Sequence, residues 1–184
     1  MSNQWKLHIV GLCNLAAFPL FGGGQALLGS DLNWLGLLMC FANSIAVISI
    51  GFLMRPVIAT TAPRSGDIYR VARISEGLFL AVSVLAVQGS LLGLTASSAS
   101  FYQLAMIGLR LGSLPMCLWL IRSNFVPVIL GALGFVGYLC LIAAMIASAK
   151  DSETVSMALL LPGAIFEVIL GVTLVLGRWK LKAV

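Results

Sequence analysis

The chain has 184 residues, of which 60% are hydrophobic and 9% charged, with a formal net charge of +5 and a mean hydropathy of +1.07. A soluble domain carries about 25% charged residues, so this composition excludes one and places the chain in a bilayer. The uncharged stretches 32–54, 77–109 and 123–149 each exceed the ~20 residues a helix needs to cross the hydrocarbon core. They read as helices because lipid offers the backbone no hydrogen-bond partner, and a barrel strand would alternate apolar with polar positions.

Six spans follow in chain order, making an all-α transmembrane six-helix bundle in a single domain. The first covers about 7–28 and ends at Gly29-Ser30-Asp31; Pro19 and Gly22-Gly23-Gly24 interrupt it and are expected to kink it. The second, 34–54, closes at Arg55-Pro56, with a loop through Ala62-Pro63-Arg64-Ser65-Gly66. The third, 68–87, carries Arg73 and Glu76, and the fourth, 101–121, carries Arg110 and Pro115. Arg122-Ser123-Asn124 and Pro127 introduce the fifth, 126–147, on which Gly131, Gly134 and Gly137 recur every three residues. Such spacing makes a groove for close packing against another helix or a protein partner. The sixth, 157–176, holds Glu167, and Trp5, Trp34, Trp119 and Trp179 all fall at span ends, as in an interfacial belt.

Lys and Arg set the orientation. With the N-terminus in the cytoplasm, that side collects Lys6, Arg55, Arg64, Arg70, Arg122, Arg178, Lys180 and Lys182, against Lys150 beside Asp31, Asp151 and Glu153 on the other. Both termini are therefore expected in the cytoplasm. The positive charge then meets anionic lipid rather than nucleic acid, for which no basic-aromatic module is present. Lys6, the apolar run and Gly24-Gln25-Ala26 also have the layout of a signal peptide, but we read the segment as the first span.

Most catalytic chemistries find no support. Cys13, Cys40, Cys117 and Cys140 lie within spans without paired spacing, and His8 is the only histidine, so no metal site or cofactor is implied. No phosphate-binding loop, dinucleotide fingerprint or hydrolase elbow occurs either.

The informative residues are the charges that the spans must carry into the bilayer, Arg73, Glu76, Arg110 and Glu167, two of each sign. Each costs at least ~2.5 to 3.5 kcal/mol at the centre of a membrane helix and marks a candidate site by default. Arg73 and Glu76 are three apart and share a helix face. Arg110 and Glu167 sit near mid-span, so they are expected to pair with each other or with a ligand. Asn14, Asn43, Ser44, Ser75, Ser113 and Tyr138 are available to complete the hydrogen bonds. A surplus of positive charge near Arg70 and Arg73 would favour an anionic ligand.

Ile74-Ser75-Glu76-Gly77-Leu78 compares with Ile165-Phe166-Glu167-Val168-Ile169, and Leu15 to Leu20 weakly with Leu111 to Met116. Together these suggest a weak inverted repeat of three spans per half.

The run Tyr69-Arg70-Val71-Ala72-Arg73-Ile74-Ser75-Glu76, the segment 126–134 with Gly137-Tyr138-Leu139, and the final Leu161-Pro162-Gly163-Ala164-Ile165-Phe166-Glu167 resemble bacterial membrane proteins of domain of unknown function family 4386. The likeness covers about 11–177, with loops shorter than that family leads one to expect. The resemblance implies a multi-span helical bundle and carries no activity over to any residue.

Three functional classes remain. A transporter or receptor for a small anionic or lipophilic ligand would use Arg73, Glu76, Arg110 and Glu167 as its binding site. An accessory subunit would use the glycine face of Gly131, Gly134 and Gly137 and the basic loops to bind another membrane protein, a second copy or lipid head groups. An intramembrane enzyme would use Glu76 or Glu167 as acid or base, with Arg110 stabilising negative charge. The charge count generates a topology prediction: in a cysteine-free background, Lys180→Cys reacts with a membrane-impermeant maleimide only after the cells are permeabilised. Labelling in intact cells overturns the orientation.

Overall fold

Among the described residues, apolar sequence with internal prolines and glycines folds into six helices. They are α1 (Asn3–Leu27), α2 (Asn33–Ala59), α3 (Pro63–Ser90), α4 (Ser98–Ser123), α5 (Val128–Ser148) and α6 (Glu153–Val175). The structure is a computed structural model; it describes residues 3–90, 98–148 and 153–180, with side chains over 4–89, 101–144 and 158–180. Lys150, Asp151, Lys182 and the side chain of Glu153, which enter the charge count, lie outside the described residues. The fold is the expected all-α bundle. Among the described residues, five helices are long and apolar enough to cross a membrane, and α5 adds an apolar stretch over Val128–Ala144. The chain is a multi-pass membrane protein.

Each helix packs on its neighbours in sequence, and α6 returns to α1, so the helices form a ring in chain order. Short connections favour this arrangement, since an antiparallel neighbour is the nearest surface available to the next helix. Gly29, at φ 81°, ends α1 in the left-handed conformation that costs glycine nothing. A reciprocal amide pair then ties the start of α2 to the end of α3: Asn33 Nδ2 donates to Gln88 Oε1 at 3.2 Å, and Gln88 Nε2 donates to Asn33 Oδ1 at 3.1 Å.

The punctuation reads differently in three dimensions. Pro56 does not close α2, which continues to Ala59, and Pro63 opens α3 rather than lying in a loop. The first helical position suits proline because its missing N–H has no partner there. Pro19, Pro56, Pro115 and Pro162 all lie inside helices, which membrane bundles tolerate when neighbouring groups satisfy the freed carbonyls. The glycine run does not interrupt α1 either. A Cβ on Gly24 would lie 2.7 Å from Cys40 Sγ, and one on Gly36 would lie 2.8 Å from the Gly24 carbonyl oxygen, so these glycines bring α1 and α2 into backbone contact. Trp119 is likewise no belt residue: it is buried, and its Nε1 donates to Thr61 Oγ1 at 2.8 Å.

The α5 glycines face α4 and α6 of the same chain. A Cβ on Gly131 would lie 2.9 Å from the Ile121 side chain, one on Gly134 2.5 Å from the Phe166 ring, and one on Gly137 2.9 Å from the Gly163 backbone. That face is used within the ring. Because backbone is the obstacle at Gly137, Gly137→Val should destabilise the protein in detergent by about 1–3 kcal/mol. Gly108→Ala, where a Cβ would meet nothing within 4 Å, should leave the melting temperature unchanged or raise it. Equal melting shifts for the two variants would contradict the packing.

Candidate functional site

The interior of the ring is organised by Arg73. Its Nε donates to Tyr69 Oη at 3.0 Å, one turn back on α3, and its guanidinium carbon lies 5.3 Å from that ring's centroid. Nη1 donates to Glu76 Oε2 at 3.0 Å, and Nη2 lies 3.6 Å from Glu167 Oε1 on α6. Tyr138 on α5 donates its hydroxyl to the same Glu167 oxygen at 2.7 Å, and Asn14 Nδ2 on α1 donates to the Glu167 backbone carbonyl at 2.7 Å. Arg73 and Glu76 are each 4% exposed. A guanidinium buried this deeply is tolerated because its fork of donors is filled by oxygens around it.

Three glycines place the cluster. A Cβ on Gly51 of α2 would lie 2.8 Å from Arg73 Cβ, one on Gly77 of α3 2.8 Å from the Ser44 carbonyl oxygen, and one on Gly112 of α4 would overlap Ala72 Cβ. They let α2 and α4 close on the helix that carries the charges.

Arg73, Glu76 and Glu167 therefore meet as expected, and Arg110 does not join them. The expected Arg110–Glu167 pair is absent, because Arg73 and Tyr138 hold Glu167 instead. Gly112 sets the side of α4 that touches α3, and a position two residues away is turned about 200° from it. Arg110 is 7% exposed, with Nε and Nη1 lacking any hydrogen-bond partner. Arg70 also leaves the cluster: it reaches Asp67 at 3.5 Å, and Asp67 meets Arg55 at 3.0 Å. Asp67 was not singled out from the sequence; it offsets one of the two charges of Arg55 and Arg70, while Arg73 is met by Glu76 and Glu167.

Of the polar residues proposed to complete the site, Tyr138 and Asn14 do so. Ser44 instead donates to its own helix at the Cys40 carbonyl, 3.2 Å away. The side-chain oxygens of Asn43 and Ser113 are buried without a partner. Tyr69 was missed, although its place four residues before Arg73 was a usable signal.

Beside the cluster lies a cavity of about 370 Å³. Asn14, Asn43, Arg73, Glu76 and Glu167 form its polar wall, and Phe18, Val47, Leu80, Met106 and Leu109 are among its apolar residues. Phe21 and Tyr102, both also in the wall, stack with centroids 5.7 Å apart and planes 10° from parallel. They join α1 to α4, which are not neighbours in the ring. The arrangement has the shape and chemistry of a small-molecule site: concave, largely apolar, with a few convergent polar groups. Among the described residues no three His, Cys, Asp or Glu converge to hold a metal.

The chain belongs to the family described as Domain of unknown function (DUF4386), whose model matches residues 25–177. No curated protein and no solved structure matches it.

The geometry separates the two arginines. Arg73→Leu leaves two buried carboxylates without their cation and should destabilise the protein by about 3–5 kcal/mol. Arg110→Leu removes a buried charge that has no partner, and should leave the melting temperature unchanged or higher. Thermal melts in detergent check both, and a large loss with Arg110→Leu would show that a protein group pairs with it.

Proposed function

We propose that this chain is a small-ligand binding protein of the transporter or receptor kind. The ligand is mostly apolar with one polar end, held inside the helix ring. The observation that carries the reading is the 370 Å³ cavity against Arg73, Glu76 and Glu167. A cluster serving only to hold helices together would be closed over by its neighbours. Here Glu167, part of the cavity wall, keeps 18% of its side chain exposed. A ligand's polar end meets Glu167 there, while its apolar body covers Phe18, Val47 and Leu80.

On this reading the protein lies in a bacterial inner membrane with six crossings and both termini in the cytoplasm. The positive charge at Lys6, Arg55, Arg64, Arg122 and Arg178 supports that orientation.

A medium-chain alcohol carrying a diazirine tests the proposal on protein in lipid nanodiscs. Irradiation should label residues of α1, α2 and α4 that line the cavity, and unlabelled 1-octanol should compete. Ala17→Phe, which fills the cavity from its wall, should abolish the labelling. Labelling spread over lipid-facing residues, or left intact by Ala17→Phe, refutes the cavity as a binding site.

A further inference from the structure

We infer that the polar end of this cavity's ligand is an ammonium group received by Glu167 and Glu76, so that the ligand is a lipophilic amine in its protonated form. The inference rests on the binding reading above and adds the sign of the ligand's charge. Three features of the wall lead to it.

The first is net charge. Glu76 and Glu167 face the cavity together with Arg73, and two carboxylates against one guanidinium leave one negative charge. Arg110 is not part of the wall, and among the described residues it pairs with neither carboxylate. The guanidinium is also the more occupied partner. Each of its three nitrogens already meets an oxygen, and its side chain is 5% exposed against 18% for Glu167. A ligand in the cavity therefore finds more carboxylate surface than guanidinium surface. An added carboxylate would face like charge in surroundings of low dielectric, and a neutral polar end would leave the negative charge unanswered at a depth where that is costly.

The second is the set of open acceptors. Tyr138 and Arg73 both come to Oε1 of Glu167, and Arg73 Nη1 comes to Oε2 of Glu76. Among the described residues nothing donates to Glu167 Oε2 or Glu76 Oε1. Asn14 gives its Nδ2 to the Glu167 carbonyl, which leaves its Oδ1 as a further acceptor in the same wall. None of these oxygens is among the buried side-chain atoms that lack a partner, so they keep accessible surface, and the cavity is the space their side chains line. An ammonium has three donors and no acceptor. It is the complement of two carboxylates and an amide oxygen.

The third is aromatic. Phe18, Phe21 and Tyr102 belong to the wall, and Phe21 stacks on Tyr102 between α1 and α4. Ring faces attract a cation, most strongly where water is excluded, and they suit the methylene chain that follows an ammonium equally well.

Displacement of the photoreactive alcohol tests this in nanodiscs of phosphatidylcholine at about pH 8, where octylamine is a cation and octanoate an anion. Octylamine should displace the label at a mole fraction in the lipid about tenfold or more below that of 1-octanol or octanoate. In Glu167→Gln, which leaves the wall neutral, that advantage should disappear, and Glu167→Asp should keep part of it. Glu76→Gln should reduce it as well and supplies the test if Glu167→Gln does not fold. Displacement by 1-octanol or octanoate that matches octylamine, or an octylamine preference that survives substitution of either glutamate by glutamine, overturns the inference. The cavity reading then still stands, since Ala17→Phe tests it alone. If no probe competes and Ala17→Phe changes nothing, both fall together.

Discussion

One guanidinium decides how this bundle is put together. Arg73 reaches two carboxylates on two helices and a tyrosine on its own, with a second tyrosine completing Glu167. At bilayer depth these groups have no water to fall back on, so the free energy depends on all of them being in place together. Consequently α3, α5 and α6 cannot slide or rotate against one another without stranding a charge. Apolar packing alone gives little such direction, because the lipid tails that replace a neighbour are as apolar as the neighbour itself.

Holding charged helices this close requires thin contacts, which glycine supplies on every side of the ring. Gly24 meets Gly36 between α1 and α2, Gly51 receives Arg73 between α2 and α3, Gly112 faces Ala72 between α3 and α4, and Gly137 faces Gly163 between α5 and α6. Close backbone approach strengthens dispersion contacts that the hydrophobic effect does not provide inside a membrane. It also sets rotation: Gly112 fixes which face of α4 meets α3, and thereby which way Arg110 points.

Much of this was legible from residue order. Helix number followed from the length of the uncharged runs, and the meeting of Arg73, Glu76 and Glu167 from the cost of leaving any of them alone in lipid. What did not follow was the pairing. Choosing between Arg73 and Arg110 as the partner of Glu167 requires the relative rotation of α3, α4 and α6, which small-residue contacts between non-adjacent segments determine. No pattern along one helix reports those contacts. The glycine spacing on α5 identified a packing face but not its occupant, which proved to be Ile121, Phe166 and Gly163 of the same chain. Proline misled for a related reason: a rule about broken hydrogen bonds assumes water nearby to take the freed carbonyl, and in a packed bundle the helix has no such exit.

The ring is well satisfied at Arg73 and poorly satisfied at Arg110, Ser113 and Asn43. A sequence shaped only for stability would replace Arg110 by leucine at no cost to Arg73 and its partners, and would fill the space beside Met106 and Leu109. On the proposed binding reading, the partly exposed Glu167 beside the apolar cavity is where a ligand contributes, since it gains free energy only through interactions the protein has left unmade. Arg73 and Arg110 lie on adjacent helices, and because Arg73 holds both Glu76 and Glu167, neither carboxylate reaches Arg110.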